Sequence, residues 1–512
     1  MTRLARLLST ADDAVARIPD GVTLTTGGFV GAAHPEGLTA ALERRFLATG
    51  SPRNLTLVYG AGQGDGRQRG LNHLGHAGLV KRVIGGHWGL IPRIGQLVLN
   101  NEIEGYNFPQ GVIYQLIRDI AAGRPGSITH VGLGTFIDPV NDGGRLNART
   151  TDPLVERVEL AGRTWLFYRA FPIHVALIRA TAADCFGNLS MAREAIVGNA
   201  LAMAQAARNH GGLVIAQVQE LLDAPLPPHQ VRVPGVLVSQ VVLAGADDHA
   251  QTFAEADNPA YYQPANPESA TDSALEPLPR DERRIIAARA CDELLPGAIA
   301  NLGIGMPEGV ARIAAERGLL NSITLTLESG PFGGMPAGGL SFGASVHPEA
   351  IIEEGAMFDF YDGGGLDFSA LGAAQIDEQG NVNVSKFGTR IAGVGGFVNI
   401  SQNARRLVFC TTLTCGGLEV SVENGRLRIL QEGTQRKFIE RVEQISFSGE
   451  IARRSAREIL FVTERAVFRM TPAGLELTEV APGIDVESQI VAQMDFRPII
   501  RRVQPMPDHV FR

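Results

Sequence analysis

Short apolar runs rich in β-branched residues recur along this chain, at Val22–Leu24, Val83–Ile84, Val175–Ile178, Leu213–Ile215, Ile323–Leu327 and Leu407–Phe409. Between them lie longer stretches with apolar residues at helical spacing, such as the one that starts at Asp281-Glu-Arg-Arg-Ile-Ile-Ala-Ala-Arg-Ala290. Strands that alternate with helices predict an α/β fold built on open, mostly parallel sheets.

The pattern also repeats. Pro35-Glu-Gly-Leu38 returns as Pro307-Glu-Gly-Val310, and each opens a helical stretch that ends in a Glu-Arg pair. Leu55-Thr-Leu57 returns as Leu325-Thr-Leu327, and Asp184-Cys-Phe-Gly-Asn-Leu-Ser190 as Asp377-Glu-Gln-Gly-Asn-Val-Asn383. Leu213-Val-Ile215 returns as Leu407-Val-Phe409. The matches keep their order while the offset drops from 272 to 194, so the first half carries roughly eighty extra residues between the second and third matches. From Gln251 to Arg280 the periodicity fades into a Pro-, Ala- and Ser-rich stretch, which reads as a linker running over the surface. Two tandem, internally duplicated open α/β domains are expected, 1–250 and 279–512, joined by 251–278.

Composition narrows the class. With 45% apolar and 20% charged residues in 512, the chain reads as a soluble globular enzyme with large cores. A net charge of −8 without a long basic run argues against nucleic acid. No apolar run reaches the ~18–20 residues of a membrane span. The opening residues read as a capped helix, with Ser9 or Thr10 before Asp12 and Asp13, rather than a transit peptide. Four cysteines in such a length point to a reducing compartment, and the expected location is cytoplasmic. No metal is expected, because Cys410 and Cys415 have no second pair and His73-x-x-His76 has no adjacent third ligand.

Candidate chemistry concentrates at Leu325-Thr-Leu-Glu-Ser-Gly-Pro-Phe-Gly-Gly334. Here a strand runs into one acid, Glu328, and then into Gly330, Gly333 and Gly334, which would let a reactant approach and leave N–H groups for developing negative charge. The matching phrase in the first half has Val58 where Glu328 stands, which nominates Glu328 as the chemistry. Gly303-Ile-Gly-Met-Pro-Glu-Gly309 has Glu308 where a dinucleotide loop needs its third glycine, so NAD is not expected. The Pro-Glu-Gly turns read instead as helix starts suited to an anionic group. His87-Trp88 fits either a ligand contact or a structural role, and Asp362 and Asp367, flanking a triple glycine, fit either a turn or catalysis.

Nearly the whole chain resembles the class I coenzyme A transferases, in the single-chain propionate/acetate branch that fuses α-type and β-type halves. The resemblance rests on Asp65-Gly-Arg-Gln-Arg-Gly-Leu-Asn72, Val83-Ile-Gly-Gly-His-Trp-Gly89, Tyr106-Asn-Phe-Pro-Gln-Gly111, Phe358-Asp-Phe-Tyr-Asp-Gly-Gly-Gly-Leu-Asp367 and Gly393-Val-Gly-Gly-Phe397, among others in the same order. It implies that Glu328 is a nucleophile that passes through a glutamyl-CoA thioester. It further implies that Gly395 or Gly396 donates to an oxyanion from the loop beginning at Gly393, and that Gln110 lines an acyl pocket. Leu340–His347 would shape that pocket, and Phe332 and Met335 would give it an apolar wall. The implied activity moves CoA between short-chain carboxylic acids of the acetate, propionate or butyrate type. CoA is then a co-substrate with no cofactor beside it, and the implied assembly is a homodimer or homotetramer. The alternatives are a thioester hydrolase on the same scaffold and a non-catalytic CoA-binding protein.

Overall fold

The computed structural model describes residues 2–265, 277–455 and 457–512; part of the expected linker, 266–276, lies outside the described residues. In the first half, eight strands run in the order Leu8–Ser9, Gln240–Leu243, Leu213–Leu221, Val175–Ala183, Thr23–Thr26, Leu55–Tyr59, Val80–Gly85 and Glu104–Asn107. Every neighbouring pair in that order is parallel. The central strands are buried along their whole length, as sheets covered on both faces require. In the second half, Thr324–Thr326, Ile299–Leu302, Phe368–Gly372, Arg406–Cys410 and Glu458–Val462 form a parallel centre, which antiparallel strands extend on either side.

The duplication reaches single hydrogen bonds. Asp184 and Asp377 open the same turn, their carboxylates accepting Asn188 and Asn381 Nδ2 at 3.0 Å in both halves. Gly187 and Gly380 then take positive φ, +79° and +75°, and donate N–H to the aspartate carbonyl at 2.8 Å in each case. The second helix start is filled from within: Glu308 turns back to accept Gly305 N–H at 2.9 Å, so that turn holds its own carboxylate rather than an external anion.

The stretch after Gln251 departs from the expected surface path. Gln251, Thr252, Phe253 and Tyr261 are buried, and Thr252 Oγ1 lies 2.8 Å from Ser341 Oγ of the second half. Ser341 also donates to Glu255 at 2.6 Å, and His347 N–H donates to Ala260 O at 2.6 Å. Its loss of periodicity reflects irregular backbone packed between two bodies, which in sequence looks the same as a solvated linker. The largest apolar cluster likewise spans both halves, placing Val112 and Tyr114 in one core with Phe358, Val394 and Phe397.

Candidate active site

Ligands in open α/β sheets bind beyond the carboxyl ends of the strands, and the site lies there. Thr324–Thr326 ends at Leu327, and the chain turns through Glu328-Ser329-Gly330. Gly330 N–H donates to Leu327 O at 3.0 Å, and Ser329, fully buried, donates its hydroxyl to Gly343 O. The locked turn delivers the Glu328 side chain into a cavity of about 370 Å³. The strand ends Leu302–Ile304 and Leu371–Ala374 form one side of it, and the loop Ala392–Phe397 forms another. Phe342, Val384, Phe387 and His87 also line it, with Asn301, Leu327 and Ile400. Glu328 is half-buried, its carboxyl reaching this mostly apolar space while protein atoms crowd it on every other side. Burial pushes the carboxyl up to about 7, and the Gly396 N–H pulls it partly back.

The loop's donors are largely spoken for. Ala392 and Gly393 N–H donate to Ser385 O at 2.8 and 3.0 Å, and Val394 N–H to Asn107 Oδ1 at 3.1 Å. Gly395 N–H donates to Gly86 O at 3.0 Å, and Phe397 N–H to Val394 O at 2.9 Å. The Gly396 N–H makes none of these bonds, and Gly396 lies directly against the Glu328 carboxyl. Gly395 is therefore not the oxyanion donor that the sequence left open beside Gly396; its carbonyl instead holds Gln110 N–H at 2.9 Å. A Cβ on Gly396 would overlap Glu328 Oε2 and stand 3.0 Å from Phe358, so any larger residue there would push the carboxyl out of its place. Gly393 is equally confined, with Gly86 O and Trp88 each 2.6 Å from where a Cβ would sit.

Gln110 does not line the cavity itself but lies behind the loop, packed against Gly86 and Gly395. It is 1% exposed, and its Nε2 has no hydrogen-bond partner among the described residues, although buried donors are rarely left unpaired. Glu328, Gly393, Gly395 and Gly396 thus come together at the cavity, and Gln110 supports the loop from behind through Gly395. Gly330, Gly333 and Gly334 do not line the cavity. Their φ values of +120°, +72° and +72° are turn conformations, and a Cβ on Gly330 or Gly334 would overlap Ile352 O or Val346 O. These glycines shape the turn and do not face a reactant. Phe332 and Met335 are also outside the cavity; Phe332 packs instead on Phe360, with ring centroids 5.5 Å apart. From Leu340–His347, Phe342 reaches the cavity wall.

Of the two readings left open for His87, the structure gives the one at the site, while the other residues around it carried little signal in sequence. His87 lines the cavity, and burial drops its imidazole to about 4, so it is neutral. Asn107 and Asn399 are fully buried and hold the loop and the Gln110 turn. Glu354 is also fully buried without a well-formed hydrogen bond among the described residues. Burial holds its carboxyl well above the usual range; the nearby Tyr114 hydroxyl moderates this and the Glu328 charge adds to it. Glu353-Glu354 reads in sequence as an ordinary solvated helix start, which hid it. His73 and His76 are paired with Glu36 and Glu43. No metal-ligand cluster occurs among the described residues.

Comparison with known proteins places this geometry. The family model described as coenzyme A transferase matches residues 8–244. The chain is 44% identical to a caffeate CoA-transferase of Acetobacterium woodii over 505 residues, covering 97% of this chain and 95% of the relative. It is 41% identical to the acetate CoA-transferase YdiF of Escherichia coli K12 over 492 residues, covering 96% and 92%. The crystal structure of the acyl-CoA transferase YdiF apoenzyme from Escherichia coli O157:H7 superposes with a TM-score of 0.92 at 39% identity, covering 99% of this chain and 96% of the other. A second structure of that protein, described as a thioester complex with CoA, matches equally well.

Proposed function

The chain belongs to the coenzyme A transferase family and is a CoA-transferase, and on that premise we propose that it moves CoA between short-chain carboxylic acids through a glutamyl-CoA thioester on Glu328. One observation carries this reading: the Glu328 carboxyl stands at the strand end in a mostly apolar cavity, directly against Gly396.

A carboxylate held in an apolar cavity is poorly solvated, and its raised proton affinity makes it a better nucleophile than one in water. Glu328 attacks the thioester carbonyl carbon, the C–S bond breaks, and CoA leaves as the thiolate with a mixed anhydride behind it. The thiolate then attacks the glutamyl carbonyl carbon. The anhydride C–O bond breaks, the first acid leaves as its carboxylate, and the glutamyl-CoA thioester remains. An incoming carboxylate runs the same steps in reverse. No proton has to move, which suits a site whose imidazole, His87, is neutral. When the glutamyl carbonyl is attacked, its oxygen gains charge beside the Gly396 N–H; a donor of this kind lowers such a barrier by about 3–4 kcal/mol. CoA enters as co-substrate, with no further cofactor.

The test is the intact mass of the protein after incubation with acetyl-CoA and no acceptor, then borohydride reduction and peptide mapping. A CoA-sized adduct that maps to Glu328 supports the proposal. Steady release of free CoA without any acid acceptor would instead make the protein a hydrolase. Acetate and caffeate are named for two relatives, so the acid is read from the acceptor that discharges the adduct fastest; short-chain acids outrunning aromatic ones is the expected order.

A further inference from the structure

Asp362 ends the helix Glu354–Asp362, just before the Gly363-Gly-Gly365 turn, and the reaction above gives it no part. Amide donors from two helices surround its carboxylate. Asn399 Nδ2 lies 3.0 and 3.1 Å from its two oxygens, Gln115 Nε2 lies at 2.9 Å, and Asn403 Nδ2 at 3.3 Å. A carboxylate only accepts, so these contacts fix which end of the Asn399 amide faces Asp362. Asn399 Oδ1 is turned the other way, where it accepts Gly111 N–H at 3.2 Å. Gly111 follows Gln110, whose own N–H donates to Gly395 O at 2.9 Å. Two successive N–H groups of the first half are therefore held by two acceptors that flank Gly396 in the second. The seam has no slack: a Cβ on Gly111 would stand 2.5 Å from Phe358 and 2.6 Å from Asn399 Nδ2.

We propose that Asp362 and Asn399 are positioning residues for the transfer reaction, fixing the Gly395-Gly396 loop beside Glu328 through the Gln110-Gly111 turn. Neither residue touches a reacting atom. This rests on the reading of Glu328 and Gly396 given above. Asp362 sets the polarity of Asn399, Asn399 sets the position of the Gln110-Gly111 turn, and that turn holds the Gly395 carbonyl. Reversing the amide would place its NH₂ against the Gly111 N–H and open the seam.

The experiment compares Asp362→Asn, Asn399→Asp and the double variant with the wild type, measuring kcat, KM for acetyl-CoA, thermal unfolding and the borohydride-trapped adduct. Asp362→Asn is isosteric but loses the acceptor-only face. The double variant rebuilds the chain with polarity exchanged: the amide now at position 362 donates to the carboxylate now at position 399, which still accepts the Gly111 N–H. Misplacement of reacting groups by about 1 Å costs about a hundredfold in rate. Each single variant is expected to lose about 30- to 100-fold in kcat with KM within about threefold, and the double variant to regain at least about tenfold. Single variants that keep kcat within about threefold, or that lose activity through KM, overturn the proposal. So does a double variant no better than the worse single one. If the Asp362→Asn protein does not fold, Gln115→Met carries the test by removing one donor to Asp362 from a part-exposed helix face: kcat lower at unchanged unfolding temperature supports the proposal, and unchanged kcat overturns it. Absence of an adduct in the wild type refutes the glutamyl mechanism itself, so the two failures are separable.

Discussion

Replacing the proposed nucleophile should make the protein more stable, and by an amount that depends on pH. The perturbation is Glu328→Gln, which keeps the shape of the side chain and removes its charge. Burial lifts the folded-state carboxyl from 4.5 to about 7. Each tenfold change in proton affinity is worth about 1.4 kcal/mol, so ionised Glu328 costs the fold roughly 3 kcal/mol at pH 8. Residual solvent access to the half-buried carboxyl trims this to about 1–3 kcal/mol. The sign is that of a raised acid. The native state binds the extra proton between pH 4.5 and 7, so wild-type stability falls as pH rises through that window and levels off above it. The neutral amide of the variant suffers no such loss. Thermal unfolding of both proteins at pH 8 and pH 5 reads the difference. At ~2–4 °C per kcal/mol for domains of this size, the variant unfolds a few degrees higher at pH 8, and most of the gap closes at pH 5. A variant that is equal or less stable at pH 8, or a gap that is the same at both pH values, would refute the desolvated carboxylate.

The same ionisation governs the half-reaction: adduct formation from acetyl-CoA without acceptor should rise roughly tenfold from pH 6 to pH 8, with its midpoint near 7, and a flat profile in rapid-quench measurements would count against Glu328 as attacking carboxylate. Gly396→Ala puts a methyl group onto Glu328 Oε2 and should reduce kcat at least about a thousandfold while circular dichroism shows a folded protein. Gly334→Ala tests the corrected role of the turn glycines: at φ +72° and against Val346 O, it should cost about 1–3 kcal/mol in denaturant unfolding and leave kcat of the folded fraction near wild type. With thiol reagents, Cys185 and Cys415 should react in the native state, whereas buried Cys291 and Cys410, with thiols pushed up to about 11 and about 12, should react only on unfolding.

Local pattern made the scaffold legible. The β-branched runs mark strand interiors, and the Asp-x-x-Gly-Asn phrases encode one turn twice, down to matching hydrogen bonds. Glu328 was legible because its partner position, Val58, is buried and apolar, so the acid has no counterpart in the shared scaffold. Sequence could not say which glycine N–H is free, since that depends on acceptors some 300 residues away, Gly86 O and Asn107 Oδ1. For the same reason Gly333 and Gly334 looked like site residues: proximity along the chain says nothing of which side of a turn faces the cavity. Glu354 and Asn399 do not stand out in sequence because part of their surroundings comes from the other half, Gly198 O accepting Glu354 N–H and Gly111 N–H donating to Asn399 Oδ1.

That the first half supplies the acceptors for the second half's donors divides the labour between duplicates. The copy without the acid serves as a jig, shaping a loop whose free N–H would otherwise point anywhere. On the proposed mechanism, a detached second half would carry Glu328 and lose the acceptors that hold the loop beside it. Synthesis from the amino terminus lays down the jig first, so Glu328 and its loop emerge after the half that holds them.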